Sequence, residues 1–286
     1  MTTQRFATLD ESAMRETRDA LHAYARVLGT WLKSCRPRRK HWWHASLRPC
    51  LNGLTTGVVR AGIDFEIELD LRNSQLRLRT ATGQVGCDAL AGQPAQQLAD
   101  NISDFLTESG VDRALAPKAA HSTERVGRFD GYSAQQAHCL AGVFADVTAT
   151  MREFRAEIRE ESSPIQLWPH HFDLSMLWLP GEKVPDQDPA DEESADKQLN
   201  FGFTLGDEGI AEAYFYVTAY PPFTPPSDPW LPAGTTWRSE SFIGAVLPYR
   251  ILSDMSTPSD YLLNLWRVLL AAGREHMLGR DAQGGR

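Results

Sequence analysis

The run IDFEIELDLRNSQLRLRT, residues 63–80, alternates apolar and polar side chains in two stretches separated by Asn73 and Ser74. A period of two places Ile67, Leu69 and Leu71 on one face, a pattern that suits a half-buried antiparallel hairpin. With Asn73-Ser74 as a two-residue turn, Leu71 is expected opposite Leu76, Leu69 opposite Leu78, Asp70 opposite Arg77 and Glu68 opposite Arg79. The acidic set Asp64, Glu66, Glu68 and Asp70 then reads as a polar face neutralised by cross-strand arginines, not as a metal site.

Helical spacing surrounds this hairpin. Met14, Leu21, Tyr24, Leu28, Trp31 and Leu32 predict a helix over 10–34, and Leu98, Ile102, Phe105 and Leu106 predict another over 94–109. Leu140, Phe144, Val147, Met151, Phe154 and Ile158 step by four and three through a long helix at 133–160. Thr257-Pro258-Ser259-Asp260 caps a closing helix that runs to about Met277. The strand candidates are HWWHASLRPC and LTTGVVR before the hairpin, then SPIQLWPHHFDLSMLW, QLNFGFTLG, EAYFYVTAYPP and TTWRSESFIGAVLPY.

The order helix, strands, helix thus occurs twice, which predicts an α+β chain of two topologically similar halves, 1–125 and 126–286. Each half is an antiparallel sheet with helices on one face, and the halves share or pair their sheets in one compact unit. The acidic stretch at 181–197 is expected to be a mobile excursion, and the proline-rich YPPFTPPSDPWLPAG to wrap the surface.

With 42% hydrophobic and 23% charged residues, and no run of about 18 apolar residues, the chain reads as globular with no membrane span. Its first residues lack an apolar targeting core, so a cytoplasmic location is expected, with Cys35, Cys50, Cys87 and Cys139 as reduced thiols. A net charge of -8 argues against nucleic acid as a partner. The local exception is the basic run Lys33, Arg36, Arg38, Arg39 and Lys40, read first as the solvated exit of a helix and second as an attractor of anions. No nucleophile elbow, phosphate-binding loop, dinucleotide fingerprint or helical zinc motif is present in the sequence.

Within SPIQLWPHHFDLSMLW, strand alternation puts His170 and Phe172 on one face and His171, Asp173 and Ser175 on the other. In HWWHASLRP it groups His44, Ser46 and Arg48 with Trp42. If these strands open equivalent sheets side by side, His44, His171 and Asp173 converge near a cleft. Two imidazoles and a carboxylate suit a divalent transition metal or a polar ligand, while a buried hydrogen-bond network is the simpler reading and ranks first.

HWWH, GLTTG, FEIELD, WPHHFDLSM, FGFTLGD and YFYVTAYP, in this order, resemble an uncharacterised bacterial family known only as a domain of unknown function. The resemblance spans about residues 20–275 and implies one conserved architecture and a bacterial origin; it brings no activity, substrate or cofactor. Three classes of function stay open. The first is an interaction or scaffold protein with the aromatics in its core. The second is a small-molecule or peptide binding module, with Trp43, Trp168, Tyr214 and Tyr216 lining a cleft and His44, His171 and Asp173 as polar groups. The third is a metal-dependent enzyme using His44, His171 and Asp173.

Overall fold

Asp10 starts the first helix: its carboxylate accepts from the Ala13 N–H at 3.0 Å, satisfying a donor the helix leaves open. The helix, α1, runs Glu11–Cys35 and stops where Pro37 forces Arg36 into extended backbone. In the computed structural model, which describes residues 6–117, 127–191, 193–223, 231–240 and 242–279, the chain is α+β with two antiparallel sheets. It divides into two compact units. The first comprises Leu9–Ala145 with Gln166–Phe172; the second comprises Met1–Thr8, Asp146–Ile165 and Asp173–Arg286. The sequence boundary expected at 125 falls outside the described residues.

The first unit carries a meander of β1 (Arg48–Pro49), β2 (Gly53–Thr55), β3 (Phe65–Asp70), β4 (Gln75–Thr80) and β5 (Val85–Ala89), followed by α2 (Ala95–Glu108). The β3–β4 hairpin keeps its expected faces but not its expected turn. Leu69 lies opposite Leu76, Glu68 opposite Arg77 and Glu66 opposite Arg79, a shift of two residues. The Leu71 and Arg72 N–H groups both donate to the Asn52 carbonyl, at 2.9 and 3.1 Å, which takes Leu71 out of the ladder. The Asp70 carboxylate accepts from the backbone and side chain of Asn73, closing a four-residue loop. Because strand side chains alternate with a period of two, a shift of two leaves every residue on its face. The carboxylates are neutralised by arginines as expected: Arg79 pairs with Glu66 and Glu68, and Arg77 with Asp70.

Two expected strands are corrected. Of HWWHASLRPC, only Arg48–Pro49 lies in the sheet; Lys40–Ala45 coils into short 3-10 turns broken at His41 and Trp42, both left-handed (φ 51° and 55°). His44 Nδ1 accepts from the Arg39 N–H at 3.2 Å, closing this coil on itself. SPIQLWPHHFDLSMLW is likewise interrupted: it forms two strands, β7 (Gln166–Trp168) and β8 (Asp173–Leu179), with a break between them. Pro169 has no N–H to continue a ladder, and the Phe172 N–H turns back to the Trp168 carbonyl at 2.7 Å with Phe172 left-handed. His170 and His171 therefore sit in a turn, exposed, and strand alternation does not apply to them. The edge strand β5 has no counterpart among the sequence expectations, since its five residues are exposed or half-buried with no apolar face to betray them.

Helix α3 (Ala134–Glu157) contributes its first half to the first unit and its second half to the second. The second unit's sheet has the order β11 (Thr236–Arg238), β12 (Gly244–Pro248), β10 (Tyr214–Tyr220), β9 (Gln198–Thr204), β8 (Asp173–Leu179), β6 (Glu161–Ser162). Its core is aromatic: Phe201 and Phe203 from β9 and Phe215 from β10 meet Tyr249 of α4 (Tyr249–Ser253) and Trp266 of α5 (Pro258–Leu278). Phe6 packs against both Phe215 and Tyr249, tied down by its N–H on Asp146 and by the Tyr249 hydroxyl on the Ala7 carbonyl. The acidic excursion is closed at its base by backbone bonds, Val184 to Ala195 and Lys197 to Glu182, with Val184 and Ala195 buried. Residues 224–230 of the proline-rich connection lie outside the described residues.

Candidate functional site

One face of α1 breaks the apolar pattern: His22, Arg26, Gly29, Thr30 and Lys33 recur at helical spacing. Gly29 is there because Pro169 packs on the helix; a β-carbon at residue 29 would lie 2.9 Å from Pro169 Cγ. The turn Pro169–Phe172 is then held by its exposed carbonyl. His170 O accepts from Arg26 Nη2 at 3.1 Å and lies 3.1 Å from His22 Nε2, one helical turn apart on α1. The His22 ring stacks on Phe172 with centroids 5.5 Å apart. Leu47 and Leu167 pair through both backbone N–H groups at 3.0 Å, which joins the 3-10 coil to β7 within the same unit.

These three pieces, α1, the 3-10 coil and the turn after β7, line a half-open cavity of about 420 Å³. It is lined by Arg26, Gly29, Thr30 and Lys33 from α1, by Trp42 and Ala45 from the coil, and by Trp168, Pro169 and His170. Two indoles supply flat apolar walls, and two cations enter from the helix. Among the described lining residues there is no carboxylate, in a chain whose net charge is -8. Trp42 is 37% exposed, and Lys33 Nζ and the Arg38 guanidinium stand over its ring at 5.2 and 5.0 Å. His44 stacks on the same ring with centroids 5.5 Å apart.

His22 and His170 resist protonation. His22 is pulled down to about 4 by burial, then by the charge of Arg26. His170 keeps an exposed edge, yet the protein around its ring withholds solvent; this and the positive charges of His171, Lys33 and Arg26 bring it to about 4 as well. At neutral pH the cavity's positive charge thus comes from Arg26 and Lys33.

The residues singled out from sequence lie in different places. Trp43 and His44 belong to the coil; Trp43 packs near Lys40 and His41, and His44 is buried behind Trp42. His171 is exposed with its ring 4.3 Å from that of His170. Asp173, Tyr214 and Tyr216 belong to the second unit. There the Tyr216 hydroxyl donates to Asp173 Oδ2 and the Tyr214 hydroxyl to Asp207 Oδ2, with the two rings 6.2 Å apart. Burial and the adjacent Asp173 carboxylate raise the Tyr216 pKa well above its ordinary value. Asp173 thus sits in a buried hydrogen-bond network, with a tyrosine as its partner where a histidine was expected. Among the described residues no three His, Cys, Asp or Glu side chains are placed to hold one metal ion, His44, His171 and Asp173 included.

Of the aromatic residues grouped from sequence as a cleft, Trp168 lines this cavity, while Tyr214 and Tyr216 belong to the second unit. Arg26 was missed, and Lys33 was read only as part of a basic run. The available signal was the polar and small stripe at 22, 26, 29, 30 and 33 on a helix otherwise apolar on that side.

No helix among the described residues is long and apolar enough to cross a membrane. Comparison with curated proteins and with solved structures yields no match. A family model matches residues 6–277, and the chain belongs to that family, the family of unknown function DUF5996.

Proposed function

We propose that the first unit is a binding module for a small organic anion with a flat apolar body. The observation that carries this reading is the lining of the 420 Å³ cavity: two indoles and two cations, with no carboxylate among the described lining residues. Ligand pockets of this size are mostly apolar with a few polar groups that fix orientation. Here the indoles supply stacking surface and the guanidinium of Arg26 supplies a fork suited to a carboxylate or phosphate. One of its N–H groups is engaged by His170 O, which orients the rest. The basic run ahead of HWWH takes on its second sequence reading, since Lys33 and Arg38 converge on the exposed Trp42 at the rim.

Calorimetric titration of the full chain with benzoate, phenyl phosphate and the neutral benzyl alcohol tests the reading. The two anions are expected to bind and the alcohol to bind at least about tenfold more weakly, with Arg26→Gln removing most of the difference. Equal affinity for the alcohol, or an Arg26→Gln chain that binds benzoate as before, would refute an anion site.

A further inference from the structure

We infer that the cavity selects ligands that carry two anionic groups, one at each end of their flat body. The inference deepens the binding reading above and rests on it.

Arg26 and Lys33 are seven residues apart on α1, two helical turns, so they point from one face with Cα atoms about 10 Å apart. Their heads are anchored at different places. Arg26 donates to the carbonyl of His170, in the turn after β7, whereas Lys33 Nζ lies over the ring of Trp42, in the 3-10 coil. The lining between them is Gly29, Thr30, Ala45 and Pro169. None of these offers a charge, and the Thr30 hydroxyl is engaged at 2.7 Å by the Val27 carbonyl of its own helix. The trough is therefore cationic at both ends and small and apolar in the middle, with Trp168 and Trp42 as flat surfaces.

A ligand with a single anion neutralises one cation and leaves the other facing apolar ligand surface, which removes water from it without replacing the lost hydrogen bonds. A second anion at the far end of a planar body supplies that counter-charge. Two anions on neighbouring carbons are expected to engage one head and not both, since the heads are anchored on different pieces of the chain. The end groups share the chemistry of carboxylate and phosphate: both present several acceptor oxygens to guanidinium and ammonium donors.

The test compares benzoate, phthalate and terephthalate on the unaltered full chain by calorimetry, with para-carboxyphenyl phosphate as the arm that separates phosphate from carboxylate ends. Terephthalate is expected to bind about tenfold more tightly than either benzoate or phthalate. A further tenfold or so for para-carboxyphenyl phosphate would assign one end to phosphate. Lys33→Gln, at an exposed helix position, should bring terephthalate down to about the affinity that benzoate shows on the same variant. Phthalate or benzoate binding as tightly as terephthalate, or a preference that survives Lys33→Gln, overturns the two-ended site and leaves the anion site standing. Failure of all these anions to bind overturns both.

Discussion

Pro169 rests on Gly29 with so little room that a β-carbon at residue 29 would come 2.9 Å from Pro169 Cγ and 3.0 Å from Pro169 Cβ. Two opposed effects meet at Gly29→Ala. Alanine favours a helix interior by about 1 kcal/mol over glycine, and pushing a proline ring from a packed contact costs about 1–3 kcal/mol. The expected outcome is a melting temperature close to that of the parent, because the terms largely offset. Anion affinity, in contrast, should fall about tenfold or more, since the displaced turn carries Trp168 and His170. Unchanged binding in Gly29→Ala would show that this turn is not a wall of the site.

The His22 pKa makes stability depend on acid. An ordinary histidine titrates near 6.5, while His22 in the folded chain, half-buried against Phe172 and beside Arg26, titrates near 4. As pH falls below 6.5 the unfolded chain takes up this proton and the folded chain does not. The contribution is therefore fully present above pH 6.5 and lost progressively between 6.5 and 4, amounting to about 2–3 kcal/mol at the acid end. Denaturant titrations of the parent and His22→Gln from pH 7 to pH 4 check this. The variant should lose less stability over that window, and parallel curves would mean His22 is not protected from protonation.

The architecture was readable where periodicity and burial agree. The four long helices fall within a few residues of their expected ends, because each shows an unbroken apolar stripe and a capping or proline signal. The β3–β4 faces were readable for the same reason, but not the turn: nothing local to Asn73-Ser74 reports that Asn52, about twenty residues earlier, captures the Leu71 and Arg72 amides. The histidine segments failed differently. Alternation was extended through Pro169 and through His41-Trp42, where the backbone turns left-handed and the period of two is lost. The cavity was obscured because its cations come from a helix whose apolar repeat already accounts for it, and only tertiary packing shows that the polar stripe faces two indoles.

In the second unit Tyr216 lies across Gly202, its partner on β9, and a β-carbon there would stand 2.1 Å from Tyr216 Cζ. Gly202→Ala must therefore move the ring and break the hydroxyl's bond to Asp173. Tyr216→Phe breaks the same bond without moving the ring. Removing that donor from the buried Asp173 carboxylate should cost about 1–3 kcal/mol in Tyr216→Phe, and Gly202→Ala should cost more because strain is added to it. Thermal unfolding of the two variants orders these effects; an equal or smaller loss in Gly202→Ala would show that the ring has room to relax.

Gln166 is fully buried, and its Oε1 accepts from Ser46 Oγ at 2.9 Å and from Arg48 Nη1 at 2.8 Å. It sits next to Leu167, whose backbone pairs with Leu47, so this network holds β7 against the coil that carries Trp42. Burial, then the charge of Arg36, lowers the Arg48 pKa to about 10. Gln166→Leu removes the acceptor shared by Ser46 and Arg48 and is expected to cost about 1–3 kcal/mol. Gln166→Glu restores the oxygens and adds a counter-charge for Arg48, so it should recover the stability. The readout that separates a positioning role from a merely structural one is ligand affinity at a temperature where every variant is folded. If the network sets the distance between the Trp42 coil and Trp168, Gln166→Leu binds benzoate about fivefold or more weakly and Gln166→Glu regains it. If affinity is unchanged while stability falls, the network supports the fold and leaves the cavity wall to the Leu47–Leu167 pairing alone.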